Sequence, residues 1–151
     1  MVTGSRRVTA IAALVFVGLL IIVASGSASA RASGNGGRAL GPGPVTVRIV
    51  IDHSRFSPSR IVVRPHTDVR FVVVNRDFLN HEFIIGDASV HARHESGHEA
   101  RHPSVPGEVS IAPHTTGVTT YTLHSPGTVL FACHLPGHFA YGMKGTVVVR
   151  A

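Results

Sequence analysis

The chain has 151 residues, one domain's worth, and its 44% apolar against 15% charged residues exclude a disordered protein. A formal charge of +6 and a pI near 11.0 point first to nucleic acid. That class falls away too: Arg6, Arg7, Arg31 and Arg38 carry the excess, while from Gly41 onward ten Lys/Arg face eight Asp/Glu with no basic stripe interleaved with aromatics.

At the amino end, Arg6 and Arg7 precede the uncharged run "VTAIAALVFVGLLIIVA", Val8 to Ala24, and then "SGSASA" with small residues at Ala28 and Ala30. Positive region, apolar region and an A-x-A exit make residues 1–30 a secretory signal peptide. An uncleaved anchor is the alternative, because 17 apolar residues reach the lower edge of a membrane span; the chain would then associate with a membrane. An exported, periplasmic or extracellular location follows from either reading. Residues 31–43, "RASGNGGRALGPG", read as a flexible linker, and 44–151 as the folded domain.

Within that domain "VTVRIVID", "RIVVRP", "VRFVVVN", "HEFIIG", "EVSIA", "GVTTYTLH", "TVLFAC" and "GTVVVR" are short, β-branched and bounded by Pro, Gly and Asp. About eight strands with a single helical interruption predict an all-β, antiparallel sandwich. The interruption is "DASVHARHESGHEARHP", in which His91, His94, His98 and His102 fall within an arc of roughly 80° at helical pitch. Asp87 or Ser89 caps it and Pro103 stops it, while Gly97 costs about 1 kcal/mol relative to Ala, so the helix is short and marginal. Two readings of its histidine face stay open: a solvated polar insertion balanced by Glu95 and Glu99, or a second, labile metal site using His91, His94, His98 and His102.

The lone Cys133 excludes an internal disulfide, and an exported thiol is open to oxidation unless something holds it. It ends one strand, Lys144 begins the next, and the loop between them carries His138 and Met143. Pro136-Gly137 forms a tight turn that brings His138 back beside Cys133, and Gly142 frees the chain to aim Met143 at the same point. His81, at the head of "HEFIIG", is the candidate fourth donor. A buried apolar thiol and a Cys–His nucleophile pair are the competing readings of Cys133. Structural zinc gathers several thiolates and has little use for a thioether, whereas two imidazoles, one thiolate and a distant Met form the blue-copper electron-transfer set. His134 reads as solvent-facing beside the site, and His66, His114 and His124 as surface residues.

The pattern Cys133-x4-His138-x4-Met143, with "PGH" inside and "GMKGTVVV" after it, together with "N-x5-HEF" from Asn75 to Phe83, resembles the cupredoxin family. These are small blue (type 1) copper proteins such as plastocyanin, auracyanin and rusticyanin. The resemblance implies a Greek-key β-sandwich of about eight strands holding one Cu(I)/Cu(II) ion per chain. His81, Cys133 and His138 would be its equatorial ligands and Met143 the axial one. The His-rich insertion is similar to that of periplasmic cupredoxin-like proteins associated with copper handling. Two departures stand out: Glu82 occupies the place where many members have Asn, and Ala132 replaces a histidine that multicopper oxidases carry before the cysteine. In a strand Glu82 points away from His81, so it is not expected to be a ligand.

The expected function is that of an exported one-electron carrier rather than an enzyme. Redox partners would dock near the His138 edge on a rim of Leu135, Pro136, Phe139 and Tyr141. The alternative is a copper-binding protein for sequestration or tolerance, in which the His-rich insertion is the working part. An oxidase or reductase subunit would need a second centre at an oligomer interface.

Overall fold

The computed structural model describes Met1, residues 38–96, Arg101 and residues 103–151. The leader, most of the linker, His98 and His102 lie outside these described residues. Among the described residues nine strands and one helix follow in order: β1 (Val45–Asp52), β2 (Arg55–Ser57), β3 (Arg60–Val63), β4 (Thr67–Asn75), β5 (His81–Gly86), α1 (Ala88–Ser96), β6 (Glu108–Ile111), β7 (Thr116–Leu123), β8 (Gly127–Ala132) and β9 (Lys144–Val149). All eight expected strands are present. The addition is β2, three residues long and too short to show an alternation.

The strands form a four-stranded sheet, β2-β1-β4-β7, packed on a five-stranded sheet, β3-β9-β8-β5-β6. Alternation along β1 and β4 turns Val47, Ile49, Ile51, Val69, Phe71 and Val73 inward. Phe83 fills the centre, with ring centroids 5.0 Å from Phe71, 5.2 Å from Phe131 and, edge-on, 5.8 Å from Phe56. The expectation of a purely antiparallel sandwich is corrected in two places: β1 runs parallel to β4, and β3 parallel to β9. The cause is topological. Between β1 and β4 the chain crosses to the other sheet as β3, so it re-enters the first sheet in its original direction. Leu40, inside the segment read as linker, already bridges Val63, with its N–H donating to the Val62 carbonyl at 3.0 Å.

Strand β5 is buried along its whole length and reads "HEFIIG" without alternation. One face meets the opposing sheet, and α1 packs on the strand with Val90 against Gly86. This interior strand delivers His81 to one end of the sandwich. The β8–β9 hairpin lies beside it, and its loop closes over the same end. Gly145 lets β9 lie close to its neighbour β8 and to the β2–β3 connection, because a Cβ at this position would run into the Phe131 ring and the Ser59 carbonyl. Gly145→Ala is therefore expected to destabilise the fold by about 3 kcal/mol. The measurement is a urea midpoint that falls at unchanged slope.

Candidate metal centre

The β8–β9 pairing ends at Ala132 opposite Lys144, and the Cys133 N–H donates to the Met143 carbonyl at 3.1 Å, so these two residues form the neck of the loop. Inside it, the His138 N–H donates to the Leu135 carbonyl (2.9 Å) and the Met143 N–H to the His138 carbonyl (3.0 Å). Gly137 and Gly142 take φ of 84° and 88°, the left-handed values expected of these turns. The loop folds His138 back so that its Nδ1 lies 3.2 Å from Cys133 Sγ and 3.2 Å from His81 Nδ1. Donor atoms of His81, Cys133 and His138 all lie within 4.8 Å of one another, the one such cluster among the described residues. Met143 is wholly buried at the neck. Three of the four sequence-derived donors thus meet at one place, and Met143 lies at the neck of the same loop.

The His81 side chain is fully enclosed, and its Nε2 lies 2.9 Å from Asp77 Oδ2. An ionised carboxylate only accepts, so Nε2 carries the proton and the Nδ1 lone pair faces Cys133 and His138. Asp77 is held in turn by the N–H groups of His53 and Ser54, each donating at 2.8 Å. Burial pushes the Asp77 carboxyl up, but these hydrogen bonds and that of His81 outweigh it and leave it below the usual carboxylate range. Asn75 shapes the connecting loop: its amide donates to the carbonyls of Leu79 (2.8 Å) and Ala112 (3.0 Å), and its Oδ1 accepts from the Asp77 N–H (2.9 Å). The reading from sequence missed Asp77. The Asx-turn pattern of Asn75 and Asp77 just before a ligand histidine was the available signal.

Glu82 is buried, and Ile84 pairs with Ala132; carrying that register onward sets Glu82 opposite His134. Its Oε1 accepts the His134 N–H at 2.7 Å. The carboxylate therefore staples the ligand loop to β5 and stands outside the donor cluster. Its backbone N–H, with that of Leu135, donates to Cys133 sulfur. These bonds favour the thiolate, yet burial dominates and pushes the thiol up to about 12. A cation entering this site must take the place of the thiol proton.

His134 does not face solvent as expected. It is half-buried, stacked on Phe139 with centroids 5.1 Å apart, and its Nε2 lies 2.8 Å from His91 Nδ1. The reason is that α1 covers β5 and turns His91 inward onto the ligand loop. Asp87 caps this helix, accepting from the N–H groups of Ser89 (2.9 Å) and Val90 (3.1 Å). His66, His114 and His124 are exposed. Of the expected rim, Tyr141 and Pro136 are exposed while Leu135 and Phe139 are half-buried. Phe78 and Leu79, in the loop before His81, are also exposed and were not anticipated.

Burial lowers the proton affinity of His81, His138 and His134, the last to about 4. In His138 and His134 neighbouring imidazoles add to that effect, while Asp77 opposes it in His81. Unfolded histidines titrate near 6.5, so the unfolded chain binds more protons below that value. The metal-free protein is thus expected to keep its stability above about pH 6.5 and lose it as pH falls toward 4. A drop of at least ~5 °C in thermal midpoint between pH 7 and pH 4.5 is the expected result.

The donors fit copper. Two imidazoles and a single enclosed thiolate, with one thioether at the neck, are too poor in sulfur for a structural zinc site and match the set that serves both oxidation states of copper. Spacings of 3.2 Å suit atoms that share one ion at about 2.0–2.3 Å. The chain is 38% identical over 109 residues to the copper-resistant cuproprotein CopI of Rubrivivax gelatinosus, covering 70% of this chain and 66% of that protein, just under two thirds. Reduced auracyanin from Roseiflexus castenholzii superposes with a TM-score of 0.58 at 23% identity, over 70% of this chain and 97% of that one. Auracyanin A, a "blue" copper protein from Chloroflexus aurantiacus, gives 0.56 at 23%, over 71% and 99%. Both show the same fold. A family profile described as a cupredoxin-like domain matches residues 13–149, a span that includes both sheets and the whole donor cluster, and the chain belongs to that family.

Proposed function

We propose that this protein is an exported blue copper protein carrying one electron at a time, with a single copper held by His81, Cys133, His138 and Met143. The observation that supports this most directly is the meeting of His81 Nδ1, His138 Nδ1 and Cys133 Sγ within 4.8 Å. Copper, when bound, supplies the Cu(I)/Cu(II) couple. The chain does the rest. β5 and the hairpin neck hold the donors from rigid elements, Asp77 fixes the His81 tautomer, and burial keeps water away from the thiolate. His138 is the half-exposed ligand and therefore the door for electrons. No substrate is turned over, and residues 1–30 direct export.

The deciding experiment is a visible and EPR spectrum of the copper-loaded protein. An intense sulfur-to-copper charge-transfer band with narrow parallel hyperfine splitting is expected; a weak band with wide splitting would overturn the assignment. The likeness to a copper-resistant cuproprotein favours a second reading, in which copper is held rather than cycled. A reversible potential with rapid self-exchange supports the carrier, and sluggish redox chemistry supports sequestration.

Partners would dock on the rim around His138, where Tyr141 is 81% exposed. Leu135→Glu with Tyr141→Glu should slow electron self-exchange, in which two such rims meet, at least ~10-fold at unchanged potential. Wild-type exchange in that variant would rule out this rim.

A further inference from the structure

We propose a second metal site, distinct from the donor cluster, in which His91 Nδ1 and His134 Nε2 bind a borderline transition-metal cation such as Cu(II) or Zn(II), with Glu95, which lines the same recess, swinging in as a further donor. His91 Nε2 lies 3.2 Å from the Leu130 carbonyl. A carbonyl only accepts, so that nitrogen carries the proton and the Nδ1 lone pair points at His134. The two facing nitrogens are 2.8 Å apart, the separation of two ligands set at a right angle on one ion at about 2.0 Å. A ligand imidazole whose other N–H is anchored on a backbone carbonyl is the usual arrangement of a metal-binding histidine.

Both rings are preset. His91 is buried on a capped helix, while His134 is stacked on Phe139 and its backbone is tied to Glu82. They line a recess of about 420 Å³ that also includes Glu95 and Leu130 and opens to solvent past α1. The room suffices for a cation with water in its remaining positions. The open helix face is a poorer candidate: His94 is turned aside, its Nδ1 2.9 Å from the Val90 carbonyl and its Nε2 3.4 Å from Glu108 Oε2. The pairing therefore joins the helix to the ligand loop, a partnership that spacing along the helix alone does not show. Imidazole with one carboxylate suits copper and zinc, with Cu(II) the tighter of the two.

The test starts from full-length protein already loaded with one copper. Titration with Zn(II), read by equilibrium dialysis and metal analysis, should show one further equivalent. Titration with Cu(II) should add an EPR signal of wide parallel splitting beside the first. His91→Gln should lose the added equivalent and keep the first. Glu95→Gln, an exposed change that leaves packing alone, should weaken the added binding at least several-fold. His94→Gln should retain it. In Cys133→Ser the second equivalent should persist, so failure of the first site and failure of this one are separable. A wild-type protein that stops at one equivalent, or a His91→Gln variant that still takes two, overturns the proposal and leaves a hydrogen-bonded histidine pair only.

Discussion

Cys133→Ser is expected to abolish the visible charge-transfer band and weaken copper binding at least ~100-fold, with the fold retained. The band requires a thiolate bonded to the metal, and an alcohol oxygen is too hard and too weakly acidic to replace it. Loss of an outer partner of a ligand already costs 10–100-fold in affinity, so loss of the strongest ligand costs no less. The backbone explains why the protein still folds. Serine is close to cysteine in size, and the N–H groups of Glu82 and Leu135 that donate to the sulfur can donate to a hydroxyl oxygen. The hydroxyl is more costly to keep from water than a thiol, so even with His138 Nδ1 beside it as an acceptor a penalty of about 1–2 kcal/mol is expected in the metal-free protein. Visible absorption, copper retention on dialysis and thermal midpoint separate these effects. A serine variant that kept the intense band would show that sulfur of residue 133 is not a ligand.

The donor set was readable because most of it is local. Cys133, His138 and Met143 sit in one loop between two alternating strands, and turn chemistry at Gly137 and Gly142 brings them together without reference to the rest of the chain. His81 was readable from its place at the head of a strand. What stayed hidden depends on pairings between distant segments. The β5–β8 register puts Glu82 opposite His134, and nothing within either segment announces it. His91 turns inward because α1 lies over β5, whereas helical periodicity could only group it with His94 on a common face. The parallel pairs escaped for the same reason, since alternation identifies strands and not their neighbours.

Asp77 is a functional residue whose partners His53, Ser54 and His81 only the fold exposes, and Asp77→Ala is expected to be the most damaging change outside the ligands. Its carboxylate joins two structures. On one side it takes the N–H groups of His53 and Ser54, whose φ of 51° and 54° are left-handed and costly for residues with a Cβ. On the other it takes the Nε2 proton of His81, whose side chain has no access to water. Alanine removes both supports. The β1–β2 turn loses the bonds that hold its strained backbone, and a buried imidazole N–H is left without an acceptor, each worth about 1–3 kcal/mol. The metal-free protein should melt roughly 10 °C lower or more. Copper affinity should fall 10–100-fold, because His81 can then rotate or carry its proton on the nitrogen that faces the site. Asp77→Asn separates the two roles. Its amide oxygen still accepts one bond, so stability recovers in part, but the negative charge near the metal is gone. Loss of that charge disfavours the more positive Cu(II), so the midpoint potential should rise relative to wild type. An Asp77→Ala protein with wild-type melting temperature and copper affinity would mean that His81 is oriented by its burial alone.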